Sequence, residues 1–140
     1  MYKTHIYIAQ STTSPRKCVR GWAYVITAEG RKGTRKGLGK IEGTRHRATL
    51  CAAVDALARF TDNTECHLHT EDVWTLNMID NYLQNWQTRD FKNPKGEPIA
   101  DADLWEAYWK RARWQKIITE PGPHMYSEEL KLAAVVAKEN

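Results

Sequence analysis

The side chains best suited to chemistry in this sequence recur at alternate positions. In Glu65-Cys-His-Leu-His-Thr-Glu71 the spacing sets His67, His69 and Glu71 on one face of a strand. Two imidazoles beside a carboxylate could bind a softer divalent metal. The segment Thr4-His-Ile-Tyr-Ile-Ala9 aligns His5, Tyr7 and Ala9 in the same way, and His124 follows in Pro121-Gly-Pro-His124. The cysteines offer less. Cys18, Cys51 and Cys66 are odd in number and lack CxxC spacing, which argues against a zinc site or disulfide framework and for a reducing cytosol. Cations gather early in the chain: Arg16, Lys17, Arg20, Arg31, Lys32, Arg35, Lys36, Lys40, Arg45 and Arg47 face only Glu29 and Glu42. Such a run suits a phosphate-bearing partner and equally a solvated hairpin surface.

These residues need a scaffold, and the chain is long enough for one. Its 140 residues suit a single domain, spanning 1–140, with one hydrophobic core. Apolar residues make up 41% and charged residues 27%, which places it among globular rather than disordered chains; the net charge is +4. No apolar run is long enough for a membrane span, and Met1-Tyr-Lys-Thr-His-Ile reads as a strand rather than a leader. A cytoplasmic protein is expected.

Alternation around Ile6 and Ile8 predicts a strand over 4–9, and Arg20-Gly-Trp-Ala-Tyr-Val-Ile-Thr27 a second. Ala28-Glu29-Gly30 turns the chain into a polar third strand over 31–40, whose charges suit a sheet edge. Gly43-Thr44 opens a helix carrying Leu50, Ala53, Val54 and Leu57 at helical spacing. A fourth strand covers 65–70, and Glu71-Asp72 supplies negative charge at the start of a short helix. A further helix is predicted over 76–89, a loop over 91–100, and a helix over 103–112 capped by Asp101 or Asp103. A fifth strand over 114–119 and a terminal helix over 127–138 follow, with Trp22, Trp105 and Trp114 on core elements. The order β-β-β-α-β-α-α-β-α gives an α/β fold: a five-stranded mixed sheet of three antiparallel strands, then parallel βα units, flanked by helices.

Particular residues narrow this further. Arg20-Gly-Trp-Ala-Tyr-Val25 resembles the Gly-(Tyr/Trp)-Gly-Ala strand of the bacterial type 1 ribonucleases H. Thr44-Arg-His-Arg-Ala-Thr-Leu-Cys-Ala-Ala53 is similar to their Thr-Asn-Asn-(Arg/Gln)-x-Glu-Leu-x-Ala-Ala helix start, and Thr70-Glu-Asp72 stands where the family has Thr-Asp-Ser. Asn85-Trp86 through Arg89, Phe91 and Lys92, followed by Asp103-Leu-Trp105, resembles the family's basic protrusion and next helix. Ser127-Glu-Glu-Leu130 resembles its terminal helix. The resemblance runs from about Thr4 to Ala137 and implies a ribonuclease H-like fold.

It also implies what is missing. The family holds two Mg²⁺ on four carboxylates. The corresponding positions here are Ala9, which has no ligand atom, Thr49, a neutral hydroxyl, and Glu71 and Glu128, each a methylene longer than aspartate. The family's mobile loop histidine corresponds to His124. Losing one placed electrostatic group costs about 2.7–4 kcal/mol of barrier. The expectation is a degenerate active site: a pseudoenzyme, inactive or severely impaired, that keeps a surface for RNA–DNA duplexes. Thr44, Arg45 and Arg47 at the helix start and Arg89, Lys92 and Lys95 on the protrusion are its phosphate candidates. Val73 replaces a polar groove-reading residue. No cofactor is expected, with Mg²⁺ or Mn²⁺ required if activity remains. Two alternatives stay open: a weakly active metal-dependent hybrid endonuclease, whose metal would sit on Glu71 and Glu128, and a protein–protein scaffold. If the first and fourth strands are neighbours, as in the family, His69 and Glu71 lie near Ala9, and a His/Glu metal site including His124 becomes conceivable beside the plainer reading that polar residues fill the space.

Overall fold

The computed structural model describes all 140 residues. Five strands, β1 (Lys3–Gln10), β2 (Cys18–Ala28), β3 (Arg35–Gly43), β4 (Glu65–Thr70) and β5 (Lys116–Pro121), form one sheet in the order β3-β2-β1-β4-β5. β1–β2 and β2–β3 are antiparallel, whereas β1–β4 and β4–β5 are parallel. The helices are α1 (Arg45–Leu57), α2 (Val73–Asn81), α3 (Leu83–Thr88), α4 (Ala102–Ala112) and α5 (Ser127–Glu139).

Strand alternation divides the core into two layers. Ile6, Ile8, Trp22, Tyr24, Cys66 and Leu68 point to one side and meet Leu50, Ala53 and Leu57 of α1 and Trp105 and Tyr108 of α4. Tyr7, Ala9, Ala23 and Val25 point to the other and meet Leu130 and Ala134 of α5. α5 lies directly on the sheet: a side chain at Gly21 would collide with the Ala134 carbonyl. Gly37 and Gly39 on β3 carry the rings of Tyr24 and Trp22, so their place in a polar edge strand has a packing reason as well.

Three elements depart from the sequence reading. β3 starts at Arg35 because Arg31–Thr34 stay outside the ladder; pairing begins with Arg35 opposite Ile26. The single helix over 76–89 is two, since Asp72 caps an earlier start at Val73 and the backbone breaks at Tyr82 (φ −125°). β5 starts at Lys116, not 114. The chain leaves α4 through a turn closed by Gln115 N–H on the Ala112 carbonyl, and this turn puts Trp114 outside the core at 57% exposure, beneath the Arg113 guanidinium. Asp101 does occupy the N-cap of α4, but in a left-handed conformation (φ 58°) without a capping hydrogen bond from its side chain.

Candidate functional site

The C-terminal ends of β1 and β4, the start of α1 and the first turns of α5 converge on a small hollow lined by Ala9, Gln10, Thr12, Arg45, Glu71 and Lys131. The alignment of strand ends follows from register: Tyr7 pairs with His69 across the parallel β1–β4 ladder, so Ala9 and Glu71 continue side by side.

Beneath the hollow runs a buried polar chain. Arg20, fully buried, donates from Nε to the Gly43 carbonyl (3.1 Å) and from Nη1 to Gln10 Oε1 (3.1 Å). Gln10 Nε2 donates to Thr49 Oγ1 (2.7 Å), and the Thr49 hydroxyl donates to Asp72 Oδ2 (2.7 Å). Asp72, 1% exposed, caps α2 through the Thr75 N–H (3.3 Å) and accepts also from Thr75 Oγ1 (2.6 Å) and His46 Nδ1 (3.0 Å). Burial alone would raise the Asp72 pKa; the hydrogen bonds from His46, Thr75 and Thr49 outweigh it and hold the carboxyl down at about 2.

Above this chain the carboxylates are matched by cations. Glu71 Oε2 lies 3.1 Å from Lys131 Nζ, and Arg45 Nη2 donates to the Glu71 carbonyl (3.1 Å). Glu128, its side chain 92% exposed, reaches only to 4.0 Å from the same ammonium. A divalent cation does not fit this donor set. Mg²⁺ needs several oxygen ligands in tight octahedral array, whereas Ala9 offers a methyl, Thr49 is committed to Asp72, Glu71 is ion-paired and Glu128 turns to solvent. No three His, Cys, Asp or Glu side chains are gathered to hold a metal.

The histidine face is real but wired differently from a metal site. His5, Tyr7, His67 and His69 do share one face, with Tyr7 stacked on His69 (ring centroids 4.2 Å) and His5 on His67 (4.9 Å). His5 Nδ1 lies 2.9 Å from His69 Nε2, and His67 is held between Glu120 (2.9 Å) and Glu65 (3.0 Å). Burial, then the neighbouring His5, pushes the His69 pKa down to about 4. Burial opposes the His67 charge, but Glu120 and Glu65 prevail and raise its pKa. Glu71 pairs with Lys131 and makes no hydrogen bond with His69. In His124, Nε2 donates to the Ile8 carbonyl (2.9 Å) while Nδ1 accepts from the Tyr126 N–H (3.2 Å). Both ring nitrogens are thus engaged by backbone groups.

The surface candidates separate in the same way. Thr44 spends its hydroxyl capping α1 at the Arg47 N–H (3.3 Å). Arg47 is bidentate to Asp103 (3.0 and 2.8 Å) and also bonds Asp101 (3.1 Å), so it ties α1 to α4. Arg89, Lys92 and Lys95 are exposed on a loop pinned by buried Phe91 and an isolated Lys92–Pro98 bridge; only Lys92 has a nearby acid, Asp90 at 3.9 Å. Gln10, Arg20, Asp72 and Lys131 are the site residues that sequence reading passed over. The largest cavity, about 480 Å³, lies at the opposite end of the strands beside Phe60 and Trp114 and contains none of this machinery.

No family model matches the sequence. Ribonuclease H of Brucella ovis is 28% identical over 97 residues, covering 69% of this chain and 62% of that protein. Ribonuclease H of Xanthomonas oryzae pv. oryzae is 33% identical over 86 residues, covering 61% and 57%. The chain thus spans about three fifths of the length of the curated relatives it matches. Among solved structures, a foamy viral protease-reverse transcriptase in complex with double-stranded DNA superposes with a TM-score of 0.77 at 18% identity, covering 98% of this chain and 94% of that one. LC9-RNase H1 gives 0.73 at 16% identity, with coverage of 99% and 73%. The strand order, the two-sided helix packing and these likenesses agree: the protein has the ribonuclease H fold and is a sequence relative of the bacterial ribonucleases H.

Proposed function

We propose that the protein binds nucleic-acid duplexes of the RNA–DNA type and does not cleave them. The observation that carries this reading is the ion pair between Glu71 and Lys131, which puts an ammonium on the strand-end carboxylate where the family resemblance places a metal. Ala9 and Thr49 support it, because neither brings a charged ligand. Binding is supported by the exposed Arg89, Lys92 and Lys95, by the exposed Arg16, Lys17, Arg31, Lys32 and Arg35, and by relatives of the same fold: LC11-RNase H1 was solved with an RNA/DNA hybrid and the foamy viral enzyme with both hybrid and double-stranded DNA. Neutralised phosphates release counterions, so affinity should fall steeply between about 50 and 200 mM salt. The three cysteines are free, in keeping with a cytoplasmic setting, and no helix is long and apolar enough to cross a membrane.

The test pairs two measurements on one hybrid duplex. Binding is followed by fluorescence anisotropy against salt, and cleavage is followed with Mg²⁺ and with Mn²⁺. Salt-sensitive binding without cleavage is expected. Metal-dependent cleavage by the wild type, lost in Glu71→Ala, would establish the weakly active endonuclease instead, and absence of binding at low salt would leave the scaffold.

A further inference from the structure

The hollow at the strand ends holds two cations that are unequally satisfied. Arg45 is partly buried and has no carboxylate partner; its one side-chain hydrogen bond is from Nη2 to the Glu71 carbonyl (3.1 Å), which leaves Nε and Nη1 without acceptors. Lys131 is 35% exposed and carries three N–H donors, while its neighbours are Glu71 at 3.1 Å and Glu128 only at 4.0 Å. Both side chains line the same hollow, together with the polar side chains of Gln10, Thr12 and Thr13. Arg45 is also the first residue of the 13-residue helix α1, whose positive end therefore borders the hollow. An unpaired guanidinium and an under-coordinated ammonium beside hydroxyls form a donor set suited to an anion with several oxygens. Two carboxylates, Glu71 and Glu128, lie against Lys131, and the first holds the ammonium in place without exhausting its donors.

Resting on the reading of the protein as a duplex binder, we propose that Lys131 and Arg45 form a metal-independent site for one backbone phosphate of the bound nucleic acid, with the Lys131 ammonium supplying the local positive charge that a divalent ion would otherwise bring. Glu71 is then a positioning residue for Lys131 rather than a metal ligand. The phosphate is that of a polymer: the hollow is small, and the exposed protrusion cations provide additional contacts along a strand.

The experiment measures hybrid-duplex affinity in EDTA and in Mg²⁺ for the wild type, Lys131→Ala, Lys131→Gln, Arg45→Ala and Arg89→Ala, with circular dichroism to check folding. The wild type is expected to bind equally well in EDTA. Lys131→Ala and Lys131→Gln should each weaken binding roughly tenfold, as for a lost charged hydrogen bond, and reduce the salt slope by about one. Lys131→Gln keeps a polar side chain only one atom shorter, so a loss in both variants reports charge. Unchanged affinity in both Lys131 variants, with Arg89→Ala weakened, would overturn the phosphate site and leave duplex binding standing. A wild type that binds only with Mg²⁺ would overturn the metal independence. Absence of wild-type binding would overturn both. Inorganic phosphate that displaces the duplex beyond its ionic-strength effect would identify the ligand as free phosphate and overturn the assignment to a polymer.

Discussion

Thr49 and Asp72 invite a double-mutant cycle. The family resemblance sets a glutamate at the first position and a serine at the second; here a hydroxyl stands at 49 and a carboxylate at 72, 2.7 Å apart and each 1% exposed. Acid and alcohol have exchanged positions. Thr49→Glu alone puts a second carboxylate against Asp72, removes a hydroxyl donor and adds volume to a closed space. Two like charges cannot both remain ionised there, and an uncompensated buried charge costs about 3–5 kcal/mol. Against a total stability of roughly 5–15 kcal/mol this is severe. Asp72→Ser alone loses the hydrogen bonds from His46 and Thr49 but keeps an N-cap for α2, so about 1–2 kcal/mol is expected. The double variant Thr49→Glu/Asp72→Ser restores an acid–alcohol pair in reverse, and should be more stable than Thr49→Glu by about 2 kcal/mol. Urea unfolding at pH 7, read by far-ultraviolet circular dichroism, gives all four corners of the cycle. Effects that add within about 0.5 kcal/mol would mean that the two sites are energetically independent, and the exchange would then have no basis in packing or charge.

Further consequences concern pH, the α1–α4 tie and the surface tryptophan. His69 has its folded pKa depressed to about 4 from an ordinary 6.5, so it favours folding in its neutral form; that stabilisation is complete above pH 6.5 and is lost as pH falls toward 4. His69→Gln should flatten the stability–pH curve in this window, and an unchanged slope would assign the titration elsewhere. Asp72 acts lower: its stabilisation is present above the unfolded value of 3.8 and disappears as pH falls through about 2, so Asp72→Asn should be less stable than the wild type at pH 7 and should approach it near pH 2. Arg47→Ala breaks partly exposed ion pairs and should cost about 1 kcal/mol or less while leaving duplex affinity unchanged; a tenfold loss of affinity would restore Arg47 to the binding surface. Trp114→Ala should change stability by less than about 1 kcal/mol, because the ring is 57% exposed, whereas Leu50→Ala should cost about 2–5 kcal/mol. Equal losses in the two variants would place Trp114 in the core.

Local chemistry explains which elements were legible in sequence. β4 reads as Glu65–Thr70 because its alternation is uninterrupted, and α1 because Thr44 marks its start with a capping hydroxyl. The break at Tyr82 was invisible, since Ile79, Leu83 and Trp86 maintain a helical spacing across it. Trp114 was misplaced because an apolar residue beside a strand looks like part of that strand; only the turn that closes α4 excludes it. At the site, individual positions were readable and their partners were not. Ala9 and Thr49 declare missing ligands by residue type. Lys131 declares nothing: it is a lysine on an amphipathic helix, and its pairing with Glu71 arises from the way α5 lies over the sheet. Arg20 looked like one more surface cation and is instead fully buried beneath Gln10.

The charge balance of the site explains why replacing the missing ligands is insufficient to recover metal chemistry. Glu71, Glu128 and Asp72 are accompanied by Lys131, Arg45 and Arg20, so the region is neutral by formal charge without any added cation. A divalent ion binds where carboxylates outnumber such partners, because each Lys or Arg already present repels it, and Lys131 also occupies a Glu71 oxygen it would need. Ala9→Asp with Thr49→Glu adds two acids but leaves the ammonium on Glu71 and sets the new glutamate against Asp72. Removing both obstacles requires Lys131→Ala and Asp72→Ser as well. Mg²⁺ affinity should therefore rise only in the fourfold variant, measured by isothermal titration before any assay of cleavage. If the double variant alone binds Mg²⁺ as tightly as the fourfold one, Lys131 and Asp72 are bystanders, and the internal cations do not govern this site.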